Sequence, residues 1–300
     1  MSSRDGRVVI VTGAGRGLGR AHALAFASHG ARVVVNDLGV SREGDEAGSS
    51  PADEVVAEIY ELGGEAVADR SDVADWGQAE SMVALAIDTW GRLDTLVCNA
   101  GFLRDRMLAT MGEEDWDAVV RVHLKGHFVP ARHAITYWRD QAKAGNAIPA
   151  RVVMTSSGAG LMGSIGQGNY AAAKAGIALL VLQAAAEWER YGVLVNGVAP
   201  DARTRMTEGV IYDREIPEGW DDKAPSNVSP LVVWLGSEDC DVNGRIFEVG
   251  GGRLSVCDGW QHGPEVTAGE RSFEFSEISH AVHTAIEGAP PAAPVYGSGK

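Results

Sequence analysis

Cysteine is scarce in this chain: three among 300 residues, Cys98, Cys240 and Cys257. An odd number cannot pair fully within one chain, and no CxxC spacing occurs. A disulfide framework, a zinc site or any other metal centre is therefore not expected, and a reducing, cytoplasmic compartment is. Positive charge is also short. The 26 Lys and Arg face 41 Asp and Glu, for a net charge of −15. An excess of that sign repels phosphate backbones and anionic lipid, which argues against a nucleic-acid or membrane-surface partner. It still admits a small anion held in a locally positive pocket. No long hydrophobic run is expected to span a bilayer, because the most apolar stretch, 177–186, is soon interrupted by Glu187. The first residues pass directly into a short apolar strand, so no secretory leader is expected. The final Ser-Gly-Lys departs from a Ser-Lys-Leu type signal, so a peroxisomal address is not expected. Proline is rare, 11 residues against 38 glycines, and no internal repeat occurs. The glycines thus have no collagen or linker pattern and need local explanations.

Strand-like and helix-like segments alternate along the chain. Apolar stretches of strand length fall at 7–12, 31–36, 65–69, 93–99, 151–156, 193–198 and 245–249. Helical patterns fall at 20–29, 53–62, 113–142 and 168–191, with another that Asp75 caps and Gly91 ends. Several strands are continuously apolar, as Val8–Val11 is, which suits strands buried on both faces of a parallel sheet. The alternation predicts a doubly wound α/β fold in one domain over 1–258. Two segments stand outside it: a Gly/Ser/Glu-rich insert at 38–51, and an extension at 259–300 whose last stretch, 288–300, reads as a mobile tail.

Gly13, Gly15, Gly17 and Gly19, with Arg16 and Leu18 between them, lie between the first strand and the first helix. Glycines there let the backbone approach a pyrophosphate, and the helix start offers free N–H groups and a positive dipole end. Asp37 follows the second strand, 18 residues after Gly19. Its carboxylate suits both ribose hydroxyls and repels a 2′-phosphate, so NAD is expected over NADP. Arg16 argues the other way, and a plain turn is the bland alternative. Asp72 and Val73 follow the third strand and suit the adenine edge. Asn99, Ala100 and Gly101 end the fourth, where small residues permit close approach of a cofactor. Both stretches otherwise read as ordinary turns.

Ser157 lies just past the fifth strand. Tyr170 follows 13 residues later near a helix start, and Lys174 shares its helical face at i+4. Oxidising an alcohol by hydride transfer needs a base for the hydroxyl proton. A free phenol has a pKa of roughly 10, and a neighbouring ammonium favours the phenolate. Ser157 can hold the substrate oxygen. Taken singly these are a turn serine, a surface tyrosine and a solvated lysine; together they point to hydride chemistry.

Thr12–Gly19, Asn99–Gly101 and the Ser157, Tyr170, Lys174 set resemble the short-chain dehydrogenase/reductase family over roughly residues 5–252. The resemblance implies a Rossmann sheet of seven parallel strands and Tyr170 as acid/base. It further implies that Lys174 binds the nicotinamide ribose and lowers the Tyr170 pKa, that Ser157 orients the substrate, and that Pro200 and Ala202 lie near the carboxamide. Further segments are similar to the (3R)-hydroxyacyl-CoA dehydrogenase region of type 2 peroxisomal multifunctional enzymes, also known as 17β-hydroxysteroid dehydrogenases type 4. These are Asn36-Asp37-Leu38-Gly39, Leu103-Arg104-Asp105-Arg106, Val122-His123-Leu124-Lys125-Gly126, Met154-Thr155-Ser156-Ser157, Arg205-Met206-Thr207 and Phe247-Glu248-Val249-Gly250. Two departures from the wider family stand out. His123 occupies the place of a catalytic Asn, either holding a relay water or simply packed. Asp201 follows Pro200 where a Gly is usual, which leaves that loop's shape open.

A substrate lid is expected at 203–227, with Met206, Val210, Ile211, Tyr212, Ile216 and Trp220 as its apolar cover. The expected substrate is a hydrophobic acyl-CoA or steroid-like alcohol. Arg104, Arg106, Arg203 and Arg205 are candidates to meet CoA phosphates. The helix after Tyr170 is rich in small residues that allow close packing, inside the domain or between subunits. The resemblance makes a homodimer or homotetramer the expectation. A dehydrogenase of free alcohols and a dinucleotide-binding regulator without turnover are the competing functional readings.

Overall fold

A computed structural model describes residues 6–39, 50–203, 219–257, 259–291 and 294–296. In chain order the elements begin with β1 (Val8–Thr12), α1 (Gly17–Ser28), β2 (Arg32–Asn36), α2 (Pro51–Glu61), β3 (Glu65–Asp69), α3 (Trp76–Trp90) and β4 (Thr95–Cys98). They continue with α4 (Glu113–Val120), α5 (Gly126–Lys143), β5 (Arg151–Thr155), α6 (Gly158–Met162), α7 (Gly168–Trp188) and β6 (Leu194–Pro200). The last are α8 (Ser229–Gly236), β7 (Ile246–Gly250), β8 (Arg253–Cys257) and α9 (Phe275–Glu287).

The sheet runs β3-β2-β1-β4-β5-β6-β7-β8. The first seven strands pair in parallel, as the alternation predicts, with Val9 opposite both Val33 and Thr95. β8 is an addition to the expected seven strands. It pairs antiparallel to β7, with Val249 opposite Leu254. The turn between them is Gly251-Gly252, at φ 55° and 74°. Such a two-residue turn needs positive φ at both centres, and this Gly-Gly pair is the sequence signal that marks the hairpin.

Alternate residues of each strand feed two cores. Val9, Val11, Val33 and Val35 pack with Phe26, Ile59 and Val232, so α1, α2 and α8 cover one face. Val8, Ile10 and Val34 pack with Met82, Trp138, Ile177 and Val181, so α3, α5 and α7 cover the other. Each fully buried aliphatic side chain contributes about 1.5–3 kcal/mol, which is why the strand interiors carry almost no polar residue. The stretch Gly168–Tyr191 is, at mean hydropathy 1.2, long and apolar enough to cross a membrane, contrary to the expectation. Its Ile177, Val181 and Ala184 face the sheet, so here it serves as a core helix.

Local signals set several ends. The Asp75 carboxylate accepts the Gln78 N–H at the start of α3, and Gly91 ends the helix in the left-handed region at φ 78°. The long helix expected over 113–142 is instead two helices joined by a π-turn at Arg121–Lys125, which inserts an extra residue around His123. Parallel pairing places the carboxyl ends of β1, β2, β4, β5 and β6 along one edge, where ligands bind in open α/β sheets.

Candidate active site

The turn after β1 is drawn tightly onto its neighbours. A Cβ added to Gly13 would lie 2.7 Å from the Ala100 Cα, and one on Gly15 would lie 2.8 Å from the Asp37 Oδ2. On Gly19 it would lie 2.0 Å from the Gly13 carbonyl oxygen. Gly13 and Gly17 also need positive φ, at 63° and 53°. Arg16 is the extended residue before α1; no side chain caps that helix and no acid sits in its first turn. Its leading N–H groups therefore face the sheet edge without a side-chain cap among the described residues, beside Leu18 and the glycine backbone. Those residues fit a dinucleotide pyrophosphate.

Asn99 braces this turn. Its Nδ2 donates to the Thr12 and Gly13 carbonyls at 3.0 and 3.3 Å. The Thr12 hydroxyl accepts the N–H groups of Asn99 and Ala100 at 2.9 and 3.1 Å. The Asp37 carboxylate accepts the Gly15 and Gly39 N–H groups, both at 2.9 Å, with Leu38 half exposed beside it. The carboxylate is thus held at the end of β2. Asp72 accepts the Ala74 N–H at 2.8 Å and pairs with Arg121 at 2.6 Å, while Val73 is buried. Its carboxylate is already engaged by protein groups on both oxygens.

Ser157 leaves β5 in extended backbone and caps α6 by accepting the Ala159 N–H. The Ser157 hydroxyl acts on Tyr170, which lies partly buried near the start of α7. Lys174 lies one turn on. Its Nζ is 5.6 Å from the Tyr170 ring centre and donates to the Thr155 carbonyl at 2.5 Å. The His123 ring meets the Tyr170 ring edge-on, with centres 5.1 Å apart and planes at 85°. The structure therefore brings Ser157, Tyr170, Lys174 and His123 together at the carboxyl edge.

Electrostatics correct one expectation. Burial raises the Tyr170 pKa above its ordinary value; the Ser157 hydrogen bond lowers it and the charge on Asp105 raises it again. The expected lowering by Lys174 is not found, because desolvation penalises the ammonium too and brings Lys174 down to about 7. Burial also holds His123 down at about 3, with Lys174 adding to the effect, so the imidazole is neutral at neutral pH. The His123 Nε2 lies 2.7 Å from the Phe102 carbonyl oxygen and 3.1 Å from its nitrogen, while Nδ1 is buried with no hydrogen-bond partner among the described residues. Gly101 is required here, since a Cβ on it would fall 2.1 Å from the His123 Cε1.

Residues outside the expected set hold the start of α7. Asn169 donates to the carbonyls of Arg104 and Asp115 at 3.0 and 2.9 Å and accepts the Tyr170 N–H at 2.8 Å. Gln167 donates to the Asp105 carboxylate at 3.1 Å. Two amides bracketing a glycine just before the tyrosine were the signal for this clamp. Pro200 ends β6, and Ala202 is buried beyond it. Asp201, the unusual residue, donates its N–H to Val249 and pairs its carboxylate with Lys223 at 2.6 Å and Arg253 at 3.6 Å. The charge at this position is thus neutralised within the protein.

Residues 204–218 of the expected lid, with Arg205 and all its named apolar residues except Trp220, lie outside the described residues. Trp220 is exposed. Arg104 and Arg106 share Asp115, each at 3.8 Å, and remain largely exposed. Arg203 is tied to Asp221 at 2.8 Å with its side chain only 12% exposed, which removes it as a ready phosphate contact.

The family model for short chain dehydrogenases matches residues 7–214. The chain belongs to the short-chain dehydrogenase family. It is an oxidoreductase, and that family binds a nicotinamide dinucleotide. The chain is 49% identical over 248 residues to the peroxisomal multifunctional enzyme type 2 of Mus musculus, covering 83% of this chain but only 32% of that protein. It is 41% identical over 292 residues to the hydroxyacyl-CoA dehydrogenase ChsB1 of Mycobacterium tuberculosis, covering 96% of this chain and 90% of that one. A crystal structure of a short chain dehydrogenase from Mycobacterium avium matches with TM-score 0.89 and 56% identity, over 99% of this chain and 100% of that one.

Proposed function

We propose that this short-chain dehydrogenase oxidises a 3-hydroxyacyl-CoA to the 3-ketoacyl-CoA with NAD. The observation that carries the reading is the gathering of Ser157, Tyr170 and the buried Lys174 at the carboxyl edge beside the glycine turn. The names of the mouse and M. tuberculosis relatives support the acyl-CoA class.

Ser157 holds the substrate oxygen, and Tyr170 takes its proton. When bound, an oxidised nicotinamide supplies the hydride acceptor and a positive charge. Lys174 binds on the ribose side of the site, where its carbonyl contact to Thr155 already orients it. Neutral His123 steers the Tyr170 ring from its edge. Asp37, held by two backbone N–H groups, favours NAD, because a 2′-phosphate would meet a carboxylate that cannot easily swing away. The Asp37→Ala variant is expected to lose about tenfold or more in NAD preference over NADP, by titration of each cofactor. Tighter NADP binding by the wild type would assign the choice to Arg16.

The enzyme also assembles with copies of itself, as a dimer or tetramer. Leu179 and Leu182 on α7 and Leu254 and Val256 on β8 are exposed, and apolar surface of this kind suits a second copy. Few cysteines, three in 300 residues and without CxxC spacing, suit a reducing, cytoplasmic setting.

NADH formation with 3-hydroxyacyl-CoA thioesters, free steroid alcohols and no substrate tests the reading. Turnover of the thioesters is expected. Turnover of free alcohols alone would transfer the assignment to them. NAD binding with no turnover, unchanged by Tyr170→Phe, would make the protein a dinucleotide-binding regulator.

A further inference from the structure

Residues 294–296, within the stretch expected as a mobile tail, pack beside the catalytic edge. The Tyr296 N–H donates to the Gly163 carbonyl at 3.1 Å, and the Ile165 N–H donates to the Tyr296 carbonyl at 3.0 Å. These bonds close a parallel bridge between Ser164 and Tyr296 on the segment joining α6 to α7. The Tyr296 ring lies flush on Gly158: a Cβ added there would meet its Cε2 and hydroxyl oxygen, each at 2.9 Å. Val295 packs in the same way on Gly163, 3.3 Å from an added Cβ. The Tyr296 hydroxyl points toward Glu248 on β7, at 3.5 Å. Tyr296 remains 48% exposed, so one side of the ring is open to a neighbouring molecule.

Gly158 is the residue next to Ser157. The same segment is tied on its other side to the loop after β4, through the Arg106 N–H to the Gly166 carbonyl and through Gln167 to Asp105. Loop 102–107, segment 158–167 and residues 294–296 are thus linked in series next to Ser157. Glycine at 158 and 163 fits this packing, since a Cβ on Gly158 would require the Tyr296 ring to shift and one on Gly163 would crowd Val295.

We infer that the C-terminal strap Pro294–Tyr296 is a wall of the substrate site and that Tyr296 is a specificity-determining residue, limiting the bulk of the acyl group that fits beside Ser157. This rests on the hydroxyacyl oxidation proposed above. An aromatic ring in a fixed seat excludes volume without needing a charge, and a pocket wall discriminates by roughly 10–200-fold for each methylene it rejects or admits.

The test measures kcat/KM for the full-length wild type, Tyr296→Ala and Tyr296→Phe on 3-hydroxyacyl-CoA substrates of graded bulk. For Tyr296→Ala, the ratio for the bulkiest substrate over the smallest should rise about tenfold or more. Tyr296→Phe keeps the ring and should return the wild-type ratio. A ratio unchanged within about twofold, or one that falls, overturns the proposal. If the wild type oxidises only free alcohols, the thioester reading fails by itself and the same ratio is read on a graded alcohol series. If it turns over neither, equilibrium binding of the graded ligands is compared, and equal affinities for wild type and Tyr296→Ala overturn the proposal.

Discussion

Where β1, β2 and β4 end, the candidate cofactor residues are held by partners lying on adjacent strand ends. Asp37 is fixed by the N–H groups of Gly15 and Gly39, and Asn99 closes on Thr12 and Gly13. Where β5 and β6 end, the candidate catalytic residues depend on groups brought from distant loops. Asn169 reaches Arg104 and Asp115, the π-turn delivers His123, and Tyr296 comes from the far end of the chain. One side is a rigid turn that any dinucleotide enzyme of this kind can reuse. The other is an assembly of long connections, the kind of segment in which proteins sharing a fold vary most.

The largest effect is expected at the junction of the two sides. Tyr170→Phe should lower kcat by about 10²–10⁴-fold, with dinucleotide affinity unchanged by titration. A loss of less than tenfold would remove Tyr170 from the proton transfer. Next, Gly19→Ala forces a Cβ to 2.0 Å from the Gly13 carbonyl, so dinucleotide affinity should fall about tenfold or more and the thermal midpoint should drop. Gly77→Ala in α3 meets nothing nearer than 3.8 Å and should stabilise by about 0.4–1 kcal/mol. If both changes act alike, the tight turn is not special.

Asn169→Ala breaks the other side. Two part-buried carbonyls lose the donor that the buried Asn169 supplies, so stability should fall by about 1–3 kcal/mol in denaturant titration, and kcat/KM should fall while dinucleotide affinity holds. A matching loss of dinucleotide affinity would show that the two sides are not separable.

A pH dependence is a further test. Lys174 titrates at about 7 when folded and near 10.5 when unfolded. Between these values the unfolded chain holds the extra proton, so stability contributed by this residue rises with pH across that window. The stability of the wild type relative to Lys174→Met should therefore increase from about pH 7 to about pH 10, read from denaturant midpoints. A flat difference would mean that Lys174 stays charged in its seat.

The same contrast explains what the sequence disclosed. The glycine turn, the Asp75 cap and the Gly91 stop depend on residues a few positions apart, so their types announce them. The doubly wound order follows from alternating apolar segments in the same way. No residue from Arg121 to Lys125 announces a π-turn, because the extra residue is set by the packing of α4 and α5 against α7. The direction of the Tyr170 shift is equally hidden, since it depends on how far burial outweighs a nearby cation, and burial is a tertiary quantity. β8 had a local mark in Gly251-Gly252, yet its outward Leu254 and Val256 leave no buried face to point to it. α9 carries Phe275, Ile278, Val282 and Ile286 at helical spacing, and all four are exposed among the described residues.

Hydride transfer governed by Tyr170 is the central claim, and isotope transfer measures it most directly. A 3-hydroxyacyl-CoA deuterated at C3 is mixed with NAD and the enzyme, and the NADH is examined by mass spectrometry. The account predicts that the wild type carries the deuterium into NADH and that Tyr170→Phe does so at least about a hundredfold more slowly. NADH without the label, or equal rates for the two proteins, would contradict it.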